Sequence, residues 1–234
     1  MTPLTNCYSG GIVIGKIIFF DTETTGLDFK NCQIIELAMI TVEDGQITEE
    51  YDKFIKTEER LPQKIIEITG IDDEMLESEG VDEKIIAEDL KKRLTPGTLM
   101  IAHNTQFDLN FVYELLNRHF LESYNIVESM DWLDTLTVFK DRREYPHKLI
   151  DAVHHYEIKE VNFHRAIDDT KALYEVTRAM KNERNDLSDY KNLFGYNPKY
   201  GVDGIRFDFI TYAPQRYHNG GMVLQNNTLY NKIR

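Results

Sequence analysis

Long apolar runs are absent from this 234-residue chain. Its most hydrophobic stretches end after a few residues, whereas a membrane-spanning helix needs about 20, so no membrane association is expected. The opening MTPLTNCYSGGIVIGK has no basic start ahead of an apolar stretch and is not expected to act as a secretory signal. Cysteine is nearly missing. Cys7 and Cys32 offer neither a disulfide framework nor metal-ligand spacing, and a cytoplasmic location is the expectation. Basic charge is scarce too: 27 Lys and Arg face 40 Asp and Glu, a net charge of −13. Coating duplex DNA relies on Lys and Arg neutralising phosphates. The charge balance argues against that role and leaves room for an enzyme that handles a short single-stranded end.

The composition is otherwise that of a folded protein. Hydrophobic residues make up 41% and charged residues 29%, enough for a sizeable core under a solvated surface. The length suits one domain, with or without an appendage. Residues 17–56 read as three strands, KIIFFDTE, QIIELAMITV and QITEEYDKFIK, joined closely enough to be antiparallel. Beyond Pro62 the period turns helical. Val81, Ile85, Ile86 and Leu90 fall at helical spacing in 72–94, and nine acids between Asp72 and Asp89 read as a solvated face. TLMIAHN is a buried strand, FDLNFVYELLNRHF a helix, VESMDWLDT includes a strand, and KLIDAVHHYEI and AIDDTKALYEVTRAMKNER are helices. The expectation is an α/β architecture, a mixed sheet flanked by helices.

From about residue 185 the composition shifts. Six of the 13 tyrosines lie between 190 and 234, and residues 191–234 carry a net charge of +4, leaving −17 elsewhere. Alternation in RFDFITY suggests a strand, half of a hairpin closed by HNGG. The chain therefore divides into an extension at 1–15, a main domain at 16–184 and an appendage at 185–234. The appendage either contacts substrate strands through tyrosine stacking and Lys/Arg or is a packing element or dimer contact.

The acids carry the chemistry. The first strand runs into Asp21-Thr22-Glu23, and a period of two points Asp21 and Glu23 to the same face. Asp108 opens a helix, and steps of three, four, seven and eight reach Phe111, Val112, Leu115 and Leu116, so it lies on the inward stripe. Asp168 and Asp169 are adjacent. Steps from Asp169 reach Ala172, Leu173, Val176 and Met180, whereas Asp168 leans toward solvent. Four inward carboxylates at the ends of different elements raise one another's pKa and destabilise a fold. Hard divalent cations resolve the conflict. Two such ions can clamp a phosphodiester and activate a water, whose proton His164, five residues before Asp169, is placed to take. His147, His154 and His155 form no such constellation.

FFDTETTGL, IAHNTQFDLNF and HRAIDDTKAL together resemble the three motifs of the DnaQ-like DEDDh 3′–5′ exonucleases, and ITGIDDEML and DTLTVF resemble the family's connecting segments. The resemblance covers about residues 16–182. It implies a ribonuclease H-like fold, an antiparallel meander followed by parallel strands, and removal of nucleotides from 3′ ends with two Mg²⁺ or Mn²⁺. Carried over, Asp21, Glu23 and Asp169 hold the metal on the nucleophile side, Asp21 and Asp108 hold the second, and His164 is the general base. Thr22, Thr24, Gly26 and Leu27, with Leu27 as a wedge against the terminal base, and His103, Asn104 and Phe107 line the nucleotide site. The implied partner is a nucleic acid with a free 3′ end, DNA ahead of RNA, with a DNA polymerase as a candidate partner for proofreading. The rival readings are an exoribonuclease and a catalytically silent nucleic-acid-binding module.

Overall fold

A computed structural model describes residues 15–159 and 165–216. Strands β1 (Ile17–Thr24), β2 (Ile34–Glu43) and β3 (Gln46–Phe54) form the expected antiparallel meander. Helices α1 (Gln63–Thr69), α2 (Asp73–Glu79) and α3 (Glu83–Arg93) lead to β4 (Leu99–Ala102). Then come α4 (Thr105–His119), α5 (Ser123–Glu128), β5 (Asp131–Asp134), α6 (Thr135–Arg142), α7 (Leu149–His155) and α8 (Ala166–Glu183). The sheet order is β3-β2-β1-β4-β5, with β4 parallel to both β1 and β5. Among the described residues no helix is long and apolar enough to cross a membrane.

Strand alternation sorts the core into two faces. Ile18 and Phe20 of β1 join Met100, Ala102 and Trp132 under α3 and α4. Ile17 and Phe19 join Leu99, Ile101 and Leu133 under α6, α7 and α8. Apolar residues at both parities explain why these strands read as nearly continuous hydrophobic runs: each face is covered by helices. The inward stripe expected of α8 is present, with Ala172, Leu173, Val176 and Met180 buried.

Three local expectations are corrected. Segment 72–94 is two helices, and Val81 belongs to neither. It forms a parallel bridge to Ile55 beside the meander, and Ile85 is exposed. The break falls at Gly80, where an added Cβ would meet the Leu76 carbonyl oxygen at 2.2 Å. Two of the acids read as a solvated face have structural work as well: Asp72 and Asp82 accept hydrogen bonds from the Met75 and Lys84 amides and cap α2 and α3. The third correction concerns RFDFITY, which is strand only from Thr211. There β7 (Thr211–Pro214) pairs in parallel with β6 (Leu193–Tyr196), so β6 and β7 are not a hairpin. The turn HNGG lies outside the described residues.

Residues 185–216 are packed into the body of the protein. Leu187, Tyr190 and Leu193 enter the α8 face of the core, and Phe194, Phe207 and Ile210 enter the α4 face. The Asn192 amide donates to the Trp132 carbonyl, and the Trp132 amide donates to Asn192 Oδ1, both at 2.7 Å. Tyr190 donates its hydroxyl proton to Asp141 at 2.7 Å. Phe194→Ala is therefore expected to lower the stability of the whole protein by about 3–5 kcal/mol, the usual cost of emptying a buried aromatic site. Chemical denaturation followed by tryptophan fluorescence measures it. A change under about 0.5 kcal/mol would show that this segment is not part of the folding unit.

Candidate active site

The site is built where β1 ends. Asp21 and Glu23 have the parity of Ile17 and Phe19 and so face α8, which supplies Asp169 from its first turn. One ligand oxygen from each of the three carboxylates lies within 4.8 Å of the other two. Thr22 has the opposite parity and donates its hydroxyl proton to Asp108 Oδ1 at 2.7 Å, so Asp108 reaches the strand end from the α4 side. Asp168, beside Asp169, is half-buried and stands outside the three-carboxylate group. His164 lies outside the described residues.

Crowding shows in the proton affinities. Burial first, then Asp108, Asp169 and Glu23, holds the Asp21 carboxyl well above the usual carboxylate range. Burial, Asp169, Glu36 and Asp108 push Glu23 up to about 7, with Arg165 pulling the other way. Burial raises Asp108 to about 7 despite the hydrogen bond from Thr22. Oxygen-only donors with elevated proton affinity are the groups a hard divalent cation displaces protons from.

A second network, which sequence reading missed, fixes the start of α8. Glu36 of β2 is fully buried opposite Glu23. Its Oε1 accepts from Arg165 Nε at 3.0 Å and from a terminal guanidinium nitrogen at 2.8 Å, and its Oε2 accepts from the Ala166 amide at 3.1 Å. Arg165 also lies 3.7 Å from Asp52 and stacks over the Phe54 ring. The residue next to His164 is thus pinned to the sheet four positions before Asp169. The signal was available: Glu36 is a lone acid inside the apolar run QIIELAMITV.

The other expected site residues divide into two groups. Thr24 Oγ1 donates to the Gly26 carbonyl at 2.7 Å, and the Thr25 amide donates to the Gln33 carbonyl at 2.9 Å, tying down a loop from which Leu27 projects 85% exposed. An added Cβ on Gly26 would meet Cys32 Sγ at 2.8 Å. Asn104 is exposed at the amino-terminal end of α4, in a left-handed conformation with φ of 78°. Its amide donates to Asp134, which also caps α6. Phe107 is half-buried against Phe111. His103 spends both ring nitrogens inside the protein, on Thr135 Oγ1 and the His147 carbonyl, so its ring holds the Asn104 turn in place and has no free edge for a ligand.

Between the ordinary carboxylate range and about 7 the folded protein holds protons that the unfolded chain has already released. Without divalent ions, stability should therefore fall as pH rises from about 5 to about 8. Calorimetry in chelator reads this as a declining Tm, and a flat or rising profile would contradict the crowding. Arg165→Met leaves Glu36 buried beside a lost partner and should cost about 3 kcal/mol, the lower end for a broken buried pair because Arg165 is partly solvated. A denaturation midpoint unchanged from the parent protein would show that the pair is dispensable.

Comparison with known proteins places this geometry. The chain matches the RNase_T exonuclease family over residues 18–177. It is 31% identical over 199 residues to the DNA polymerase III PolC-type protein of Clostridium perfringens, covering 79% of this chain and 12% of that protein. It is 34% identical over 175 residues to the PolC-type protein of Staphylococcus haemolyticus, covering 73% and 12%. The match therefore spans about an eighth of the length of these relatives. Among solved structures, E. coli exonuclease I in complex with a dA16 oligonucleotide superposes with a TM-score of 0.69 at 20% identity, over 75% of this chain and 42% of that one. That likeness carries the fold, a ribonuclease H-like mixed sheet between helices. With the four carboxylates at the end of β1 and the starts of α4 and α8 all inside the matched stretch, the chain belongs to the RNase_T exonuclease family.

Proposed function

We propose that the protein is a divalent-metal-dependent 3′–5′ exonuclease that releases nucleoside 5′-monophosphates from single-stranded or frayed 3′ ends of DNA. The observation that carries this reading is the meeting of Asp21, Glu23 and Asp169 within 4.8 Å, with Asp108 brought to the same strand end through Thr22. Half-buried carboxylates around the buried Asp108, with raised proton affinity at Asp21, Glu23 and Asp108, fit Mg²⁺ or Mn²⁺, which take oxygen ligands. Asp21, Glu23 and Asp169 would hold one ion, and Asp21 and Asp108 a second. When bound, such a pair supplies charge for the developing phosphorane-like transition state and lowers the pKa of a water.

The remaining work belongs to the chain. His164 accepts the proton of the attacking water. Its neighbour Arg165 is clamped to Glu36. Leu27, exposed on its tied loop, wedges against the terminal base, and the main chain at Thr24 and Gly26 receives the terminal nucleotide together with Thr22, Asn104 and Phe107. The dA16 oligonucleotide held by the exonuclease I neighbour supports DNA as the substrate. The PolC-type relatives support a polymerase as partner for proofreading. The boundary at 184 is then one of function: residues 16–184 carry the chemistry, and residues 185–234 extend it.

Matched single-stranded DNA, duplex DNA and RNA oligonucleotides with Mg²⁺ or Mn²⁺ test the reading. Single-stranded DNA should be shortened from its 3′ end fastest, and excess chelator should abolish the reaction. Full activity in chelator would overturn the metal assignment. Asp169→Asn should lose at least about two orders of magnitude in single-turnover rate, while Asp168→Asn keeps most of it. The reverse ranking would contradict the assignment of the pair. His164→Ala should cost about two to four orders of magnitude and leave metal affinity intact. Wild-type turnover in that variant would remove His164 from the base role.

A further inference from the structure

We infer that the cavity between the amino-terminal end of α4 and the segment 193–212 is a second nucleotide subsite, which takes a base and its phosphate from the substrate strand upstream of the 3′ end. The inference rests on the exonuclease reading above. The cavity has a volume of about 470 Å³, within the usual range for small-molecule sites. It is lined by Tyr196 and Tyr200, by Asn197 and by one cation, Lys140, with Asp203 as the single carboxylate. Flat aromatic faces, amide groups and a cation are what a nucleotide needs: stacking, base-edge hydrogen bonds and phosphate neutralisation.

Position gives the cavity its meaning. Asn104 follows β4, Lys140 belongs to the helix that follows β5, and Tyr196 ends β6. Asn192, just before β6, bonds to Trp132 inside β5, and the Gly195 amide donates to Thr137 Oγ1 beyond the end of β5 at 2.7 Å. β6 therefore runs alongside β5 in the same direction, and the cavity opens at the carboxyl ends of β4, β5 and β6. Asp21 and Glu23 lie at the carboxyl end of β1, on the same edge of the sheet. β1 and β5 are two strand steps apart in the main sheet, roughly 10 Å, and the cavity lies just beyond β5, where the separate β6–β7 sheet packs, so one short single strand is long enough to reach both sites.

The walls are fixed before any ligand arrives. Tyr212 donates to Gln106 Oε1 at 2.9 Å, and Gln215 Nε2 donates to the Thr137 carbonyl at 2.9 Å, joining the 193–216 segment to α4 and α6. Gly195 has no room for a side chain, because an added Cβ would meet the Gln215 amide oxygen at 2.1 Å. Tyr200 is the exception. It is 71% exposed, and the Lys199 ammonium lies 4.8 Å from its ring centre, so it presents an aromatic face with a cation attached. Residues 191–216 carry Lys191, Lys199, Arg206 and Arg216 against Asp203 and Asp208, a net charge of +2 in an acidic chain, so a phosphate is repelled less here.

The test uses the full chain, thymidine dinucleotide and octanucleotide, and the variants Tyr200→Ala and Tyr200→Phe. Binding is read by fluorescence anisotropy with Ca²⁺, and KM and kcat with Mn²⁺. Tyr200→Ala should weaken octanucleotide binding and raise its KM by about fivefold or more, the loss of one base stack. Dinucleotide KM and the saturated kcat should stay unchanged, and Tyr200→Phe should behave as the parent protein. An equal change at both lengths, or none at either, overturns the subsite while leaving the exonuclease reading standing. Octanucleotide binding that depends on Tyr200 in a protein that hydrolyses neither substrate keeps the subsite and overturns the exonuclease reading.

Discussion

Repulsion among carboxylates is the constraint around which this protein is organised. Asp21, Glu23 and Asp169 come within 4.8 Å of one another, and burial, then Asp108, Asp169 and Glu23, raises the proton affinity of Asp21. A flexible scaffold would relax by letting these groups separate. This one holds them. Asp21 and Glu23 are fixed on the last residues of a central strand, hydrogen-bonded to β2 along its length and to β4 along its first half. Asp169 is carried by a helix whose start is clamped through Arg165 and Ala166 to the buried Glu36. Asp108 is held by Thr22, which points to the opposite side of the strand from Asp21 and Glu23.

The alternation of β1 thus does two jobs at once. Along its first four residues it distributes apolar side chains to both helical layers. Over its last residues it sends Asp21 and Glu23 toward α8 and Thr22 toward α4, so that carboxylates from opposite layers converge on one strand end. A register slip of one residue would invert both assignments, exposing polar groups to the core and apolar groups to the site. The chemistry and the packing are therefore specified by the same pattern.

Much of this was legible in the sequence because it depends on periodicity. The strands, the inward stripe of α8 and the common face of Asp21 and Glu23 follow from periods of 2 and 3.6, the antiparallel meander follows from its short connections, and the parallel strands after it were implied by the family resemblance. What was not legible depends on long-range partners. The Glu36–Arg165 clamp joins residues 129 positions apart. The path of residues 185–216 is set by Trp132, Thr137 and Asn110, none of which announces itself locally. The partners of His103 were hidden for the same reason: the family resemblance placed it at the nucleotide site, but its ring nitrogens meet Thr135, 32 positions away, and the His147 carbonyl, 44 away. That Val81 stands outside α3 was hidden because Val81, Ile85, Ile86 and Leu90 keep a helical spacing.

The central claim is that the crowded carboxylates form a cradle for divalent cations. Titration calorimetry with Mn²⁺ near pH 6.5, in two buffers of different ionisation enthalpy, tests it most directly. Groups with proton affinities raised to about 7 are partly protonated there, and a cation must displace those protons to bind. The account predicts saturable binding accompanied by net proton release, both lost in Asp21→Asn. Binding without proton release, or binding unchanged in Asp21→Asn, would contradict it.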